Sequence, residues 1–89
     1  MYAAVMRLSF EAELAPRAAA AFSDELLPRV KQADGFLGGY WLDPSAGEGL
    51  GLILFEEEEQ ARQASSPELW KAPGVTVQSV NVSRVAATA

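Results

Sequence analysis

Residues 35–56 read GFLGGYWLDPSAGEGLGLILFE, and the way this stretch alternates decides the fold. Two runs of strand-forming residues, 36–42 and 50–55, flank DPSAGEG, whose Asp, Pro, Ser and Gly favour turns. The spacing predicts a β-hairpin. Successive side chains on a strand point to opposite faces, so the first run puts Phe36, Tyr40 and Leu42 on one face and Leu37 and Trp41 on the other. The second sets Leu50, Leu52 and Leu54 against Ile53 and Phe55. Both faces are apolar. A hairpin wetted on one side would alternate apolar with polar residues, so this one requires cover above and below.

Composition narrows what can supply that cover. A chain of 89 residues is one domain, residues 1–89, and buries only roughly 60 to 65 per cent of its unfolded surface. Hydrophobic residues make up 49 per cent, yet cysteine is absent, so neither disulfides nor thiolate metal sites can reinforce the core. Association with another chain can. Seven basic against twelve acidic residues give a net charge of -5, which repels phosphate backbones and anionic lipid and argues against nucleic-acid and membrane partners. The chain opens on strand-like residues instead of a basic start and an apolar run, and nothing approaches the roughly 18 residues of a spanning helix. A soluble cytoplasmic protein is the expectation.

On the N-terminal side, residues 2–10 alternate Tyr2, Ala4, Met6, Leu8 and Phe10 with Ala3, Val5, Arg7 and Ser9, the period of a strand. Pro16 suits a first helical position, and the alanines after it favour a helix. Ala19, Phe22, Leu26, Val30 and Ala33 then recur at helical spacing, so the helix is expected to reach about residue 33 and to close at Gly35. Pro28 interrupts it, because an interior proline lacks the N–H that would bond to Asp24. A kink there either wraps the helix over a twisted sheet or turns a freed carbonyl toward a ligand, and the first is the commoner cause.

Beyond the hairpin, residues 56–65, EEEEQARQAS, read as a second helix. Its four carboxylates point about 100° apart and cannot converge on one metal ion, whereas negative charge in a first turn stabilises the helix dipole. Glu58 and Arg62 form an i to i+4 pair. Ser66 and Pro67 restart a short turn, with serine as its cap, that presents Leu69 and Trp70, and Pro73 and Gly74 end it. Residues 75–85 are the last strand. Val75 and Val77 share one phase and Val80 and Val82 the other, which predicts a bulge near Gln78 and Ser79.

The order is strand, helix, strand, strand, helix, strand, the βαββαβ arrangement of an α+β, ferredoxin-like domain with a four-stranded antiparallel sheet. Right-handed crossovers place the first and third strands centrally and both helices on one face. The other face lacks cover, so a homodimer joined through the sheet face is expected.

With Arg7 and Leu8 in the first strand, LLPRVKQADGFLGGYWL over 26–42 and LGLILFEEEEQARQAS over 50–65, the chain resembles the dimeric α/β-barrel superfamily. Within it the chain looks most like the small stand-alone proteins of the antibiotic biosynthesis monooxygenase type. In that family too a helix ends in a Gly-Phe step into the second strand, and a third strand ending in an aromatic runs straight into a helix. The resemblance covers nearly the whole chain. It implies a dimeric α/β barrel that holds a small hydrophobic or aromatic ligand, with cofactor-free monooxygenase-like chemistry if the protein is an enzyme. Haem-degrading relatives use an asparagine in the first strand, a tryptophan in the second helix and an iron-binding histidine. Here Met6 and Ala64 stand at the first two places and the chain has no histidine, so that mechanism is not expected.

The missing histidine and cysteine also remove Ser-His-Asp triads, thiol nucleophiles and ordinary zinc sites; no metal and no cofactor is expected. Gly35, Gly38 and Gly39 lie at a helix-to-strand junction, the reverse of a dinucleotide-binding loop. What remains is an apolar pocket with a few polar groups. Its candidates are Tyr40, Trp41 and Trp70 as walls or donors and Arg7 and Asn81 as polar partners. Tyr40 and Trp41 point to opposite faces, so at most one of them lines a given pocket and the other packs at the dimer interface. Trp70 is a lid or, more simply, a plug at the end of a small core. Arg7 reads first as a snorkelling or ion-paired strand residue and only second as an anion site. Two alternatives stand beside the ligand-binding reading: a structural dimer whose core is filled, and a muconolactone isomerase-like enzyme, which would need a titratable acid in the pocket.

Overall fold

The structure, a computed structural model, describes residues 1–42 and 47–89. Strand β1, Tyr2–Phe10, lies between β3, Glu48–Phe55, and β4, Val75–Arg84, while β2, Phe36–Trp41, pairs with the far side of β3. Every pairing is antiparallel, and the order β2-β3-β1-β4 is consistent with a ferredoxin-like fold. Its first and third strands are central, as the crossover argument requires. The turn expected after Leu42 falls in its first four residues outside the described residues.

The helices cover one face of the sheet. Ala4 and Met6 of β1 and Ile53 and Phe55 of β3 are fully buried there, packed with Leu26, Val30 and Ala61 from the helices. Burying each of the larger side chains contributes roughly 1.5–3 kcal/mol. On β4 the register pairs Val80 with Met6 and Val82 with Ala4, but Val77 with Leu8, so Gln78 is the extra residue of a bulge. The two phases of valine thereby reach the same layer, as their spacing predicted.

The first helical body begins at α1, Ala15–Ala21, passes through a π-turn at Phe22–Leu26, and continues as α2, Leu27–Lys31. Ala18, Leu26 and Val30 are buried and Phe22 partly so, a spacing of four residues. An unbroken α-helix would rotate such a stripe off the sheet by about 40° per step. The π-turn absorbs the surplus, with the N–H of Leu27 donating to the Phe22 carbonyl. It also explains one departure from the sequence pattern, since Ala18 rather than Ala19 is buried. The widened turn directly precedes Pro28, where a tight turn would press the ring against the carbonyl four residues back.

A second departure is in β2. Its register with β3 shifts between Phe36 and Gly38, so Phe36 and Trp41 both face the helices, whereas Tyr40 lies on the open face. The expected grouping of Phe36 with Tyr40 and Leu42 is therefore overturned: a bulge at Leu37 reverses the alternation. Phe36 instead meets Phe55 edge to face, with ring centroids 6.3 Å apart.

The second helix, α3, Glu58–Ala64, opens with a capping box in which Gln60 Oε1 accepts from the Glu57 N–H at 3.0 Å. Arg62 and Glu58 pair at 3.6 Å, as expected, across an exposed surface where such a pair contributes little. A 3-10 turn, Pro67–Trp70, follows; the Ser66 side chain makes no cap bond, and the turn is held instead by the Leu69 N–H donating to the Ser66 carbonyl at 3.0 Å. No helix among the described residues is long and apolar enough to cross a membrane.

The two βαβ halves meet at Gly35. Its φ of +76° closes the turn after α2, and its carbonyl accepts from the Glu56 N–H at 3.0 Å, between β3 and α3. A Cβ added there would collide with the Gln60 side chain of the capping box. Gly35→Ala is thus expected to lose about 1–2 kcal/mol in urea unfolding from backbone strain alone. The loss should be larger with Gln60 present than in a Gln60→Ala background, and equal losses in the two backgrounds would rule out the collision.

Candidate functional site

Small side chains open a cavity between the helical body and one end of the sheet. Ala15, Ala18 and Ala19 form its helix wall, and Gly49 lies on the strand side. Its volume is about 230 Å³. Benzene occupies an apolar cavity of roughly 150 Å³, so the space suits a ligand of one or two rings. Four aromatic residues, Phe10, Phe22, Trp41 and Trp70, also line it, and it is partly open to solvent, since Ala15, Ala19 and Ser23 of its wall are exposed. By sequence the alanine run reads as a helix former and the glycines as turn residues; their role as absent bulk shows only when helix and strand are stacked.

Trp41 is fixed by what its neighbours lack. A Cβ on Gly39 would lie 2.6 Å from its Cη2, and one on Gly51 would lie 3.1 Å from Cδ1 and 3.3 Å from Nε1. Two glycines, one on each strand of the hairpin, thus leave bare backbone beside the indole. Phe22 holds it from the helix side in a T-shaped contact, with centroids 5.2 Å apart and planes at 61°. The Nε1 atom is buried and has no hydrogen-bond partner among the described residues.

Trp70 also lines the cavity and is only 3 % exposed. Its Nε1–H donates to the Ala64 carbonyl at 2.8 Å, satisfying a group that the last turn of α3 cannot satisfy within the helix. The plug reading of this residue fits that geometry. A second hollow of about 350 Å³ lies beyond it, against Arg29, Val30 and Leu69. The first cavity is the stronger candidate, because four aromatic residues line it.

Of the five residues singled out from the sequence, Trp41 and Trp70 line this cavity. Tyr40, 68 % exposed, Arg7 and Asn81 occupy the opposite face of the sheet, where the register sets Arg7 against Leu50 and Asn81 against Val5. Arg7 and Asn81 are both exposed. Phe10 and Phe22 are wall residues that sequence reading treated only as parts of a strand and a helix. No cluster of His, Cys, Asp and Glu that could hold a metal ion exists among the described residues.

No protein-family model matches the chain, and no curated protein is significantly similar to it.

Replacing Trp70 by Ala is expected to lower stability by about 3–5 kcal/mol, since it empties a buried site. Trp70→Phe keeps a ring but orphans the Ala64 carbonyl and is expected to lose about 1–3 kcal/mol. Urea unfolding curves measure both; a loss in Trp70→Ala no larger than that of a surface mutation would show that the indole is not a structural plug.

Proposed function

We propose that the protein binds a small hydrophobic or aromatic ligand in the cavity between helix and sheet. The observation that carries this reading is an aromatic-walled hollow of about 230 Å³ between helix and sheet. Such sites are mostly apolar and largely formed before the ligand arrives. The resemblance to small proteins of the antibiotic biosynthesis monooxygenase type gives the same reading a chemistry. There an electron-rich substrate anion reacts with oxygen itself, while the protein contributes orientation, desolvation and stabilisation of developing charge. The isomerase alternative loses support, because the described residues lining the cavity include no titratable acid.

In this reading the functional unit is a homodimer, a dimeric α/β barrel. Leu50, Leu52 and Leu54 of β3, Val5 of β1 and Tyr40 of β2 share the face that the helices leave open. Four strands about 4.8 Å apart and some 25–30 Å long present roughly 500 Å² per chain, so two such faces bury at most about 1,000 Å², the lower bound for a specific interface. A second copy is the occupant whose own face matches in size and apolar character. Leu52→Glu, which places a charge in the middle of that face, is expected to yield monomers by sedimentation equilibrium where the unmodified protein is dimeric. An unmodified protein that stays monomeric at micromolar concentration would exclude the barrel.

The competing reading, a structural dimer without a ligand, is favoured by one observation: Trp70 packs as a plug with its N–H satisfied. Thermal shift against one- and two-ring aromatic compounds separates the two readings. Ligand at 100 times its Kd stabilises the fold by about 2.7 kcal/mol, a displacement of several degrees for a domain of this size. Ala19→Phe, filling the cavity from the exposed side of its helix wall, is expected to abolish that displacement. Uniform failure across the panel would favour the structural dimer.

A further inference from the structure

Of the three α-helices, the one that walls the cavity is held least firmly. Val30 of α2 and Ala61 of α3 belong to the continuous buried core, whereas among the described residues no side chain of α1 joins that core or packs against it. Ala18 is the buried residue of α1, and it contributes one methyl group. The underside of this helix borders the hollow instead, through Ala15, Ala18 and Ala19. Its start is weak as well. Leu14, at the cap position, has no side-chain acceptor to offer, and Arg17 places positive charge in the first turn, against the helix dipole. By contrast α3 has its capping box, two glutamates in its first turn and the Trp70 indole on its Ala64 carbonyl.

The chain on either side of α1 is anchored. Upstream, the Glu11 N–H donates to the Gly74 carbonyl at 2.8 Å, and a Cβ on Gly74 would lie 2.6 Å from Leu14 Cβ, so Leu14 is seated on that glycine. Downstream, the Phe22 ring meets Trp41 edge to face and Leu26 is buried in the core. A helix as short as α1 is marginal in water once it loses its packing, however rich in alanine. We propose that α1 is a gate: it melts between these two anchors while the rest of the domain stays folded, and an apolar ligand enters and leaves the hollow through the gap. The mouth already lies along this helix, because Ala15 and Ala19 both line the hollow and are exposed. This rests on the ligand-binding reading and adds the route of entry.

Amide exchange in the unmodified protein tests the melting. The Phe22 N–H, which donates to the Ala18 and Ala19 carbonyls, reports on α1 together with the amides of residues 19–21. These are expected to exchange at least about a hundredfold faster than the amides of Met6 and Ile53. Urea below the unfolding transition should barely change their rates, because a local opening exposes little surface. The same urea slope for both sets overturns the inference. Toluene tests the route, its dissociation followed by the fluorescence of Trp41 and Trp70. Ala20→Gly and Gln63→Gly each put glycine at an exposed position away from the hollow, the first in α1 and the second in α3. Ala20→Gly is expected to favour melting of α1, and so to speed toluene dissociation, by about fivefold. Gln63→Gly is expected to leave that rate unchanged. Equal dissociation rates in the two variants overturn the gate and leave the ligand-binding reading standing, since toluene has then bound. If toluene alters neither the fluorescence nor any amide, that reading falls and the gate falls with it.

Discussion

A central strand pair that is apolar on both faces sets the terms for this molecule. Met6, Ile53 and Phe55 point one way and are sealed beneath the helices, while Val5, Leu52 and Leu54 point the other way on the same strands. A chain of 89 residues supplies one layer of helices, and that layer can be laid on only one face. Burial of the first face organises the fold, and the second, with Val5, Leu52 and Leu54 half-buried, is the face that the proposed dimer would cover. Polar Ser79, Asn81 and Ser83 confine the apolar part of that face to β1, β2 and β3.

Within the covered layer, the cavity is produced by subtraction. Gly49 leaves room for the Phe10 ring, which a Cβ would approach to 2.6 Å, and Gly39 and Gly51 do the same for Trp41. Opposite them, alanines stand where larger side chains would close the gap. Large rings are thus held apart by small residues, an arrangement that lowers the stability of an already small domain. That cost makes more sense for a protein that receives a ligand than for one whose only task is to fold, which is the physical weight behind the functional proposal.

The helical body adapts to the same layer. Its buried stripe recurs every four residues through Ala18, Phe22, Leu26 and Val30, and the π-turn at Phe22–Leu26 keeps the stripe on the sheet while accommodating Pro28. Pro28 itself is exposed, and Phe22 and Leu26, from the widened turn, both border the cavity. The proline's effect on the site is therefore indirect, through the turn that its ring obliges the helix to widen.

Much of this was written in local pattern. Alternation in residues 2–10, the turn residues between the hairpin strands, Gly35 at a helix end and the change of valine phase at Gln78 each follow from backbone geometry that acts over a few residues, so the sequence by itself determined the elements, their order and the bulge in β4. It also separated Trp41 from Tyr40, because neighbours on a strand cannot share a face. Tertiary structure decided the rest. A bulge at Leu37 put Phe36 on the helix side, since register depends on the partner strand and not on the strand alone. The cavity was likewise invisible, because an alanine or a glycine signals empty space only once another element is stacked against it. For the same reason Trp70 has an acceptor and Trp41 has none among the described residues: hydrogen-bond satisfaction is a property of packed neighbours, which a linear order of residues does not specify.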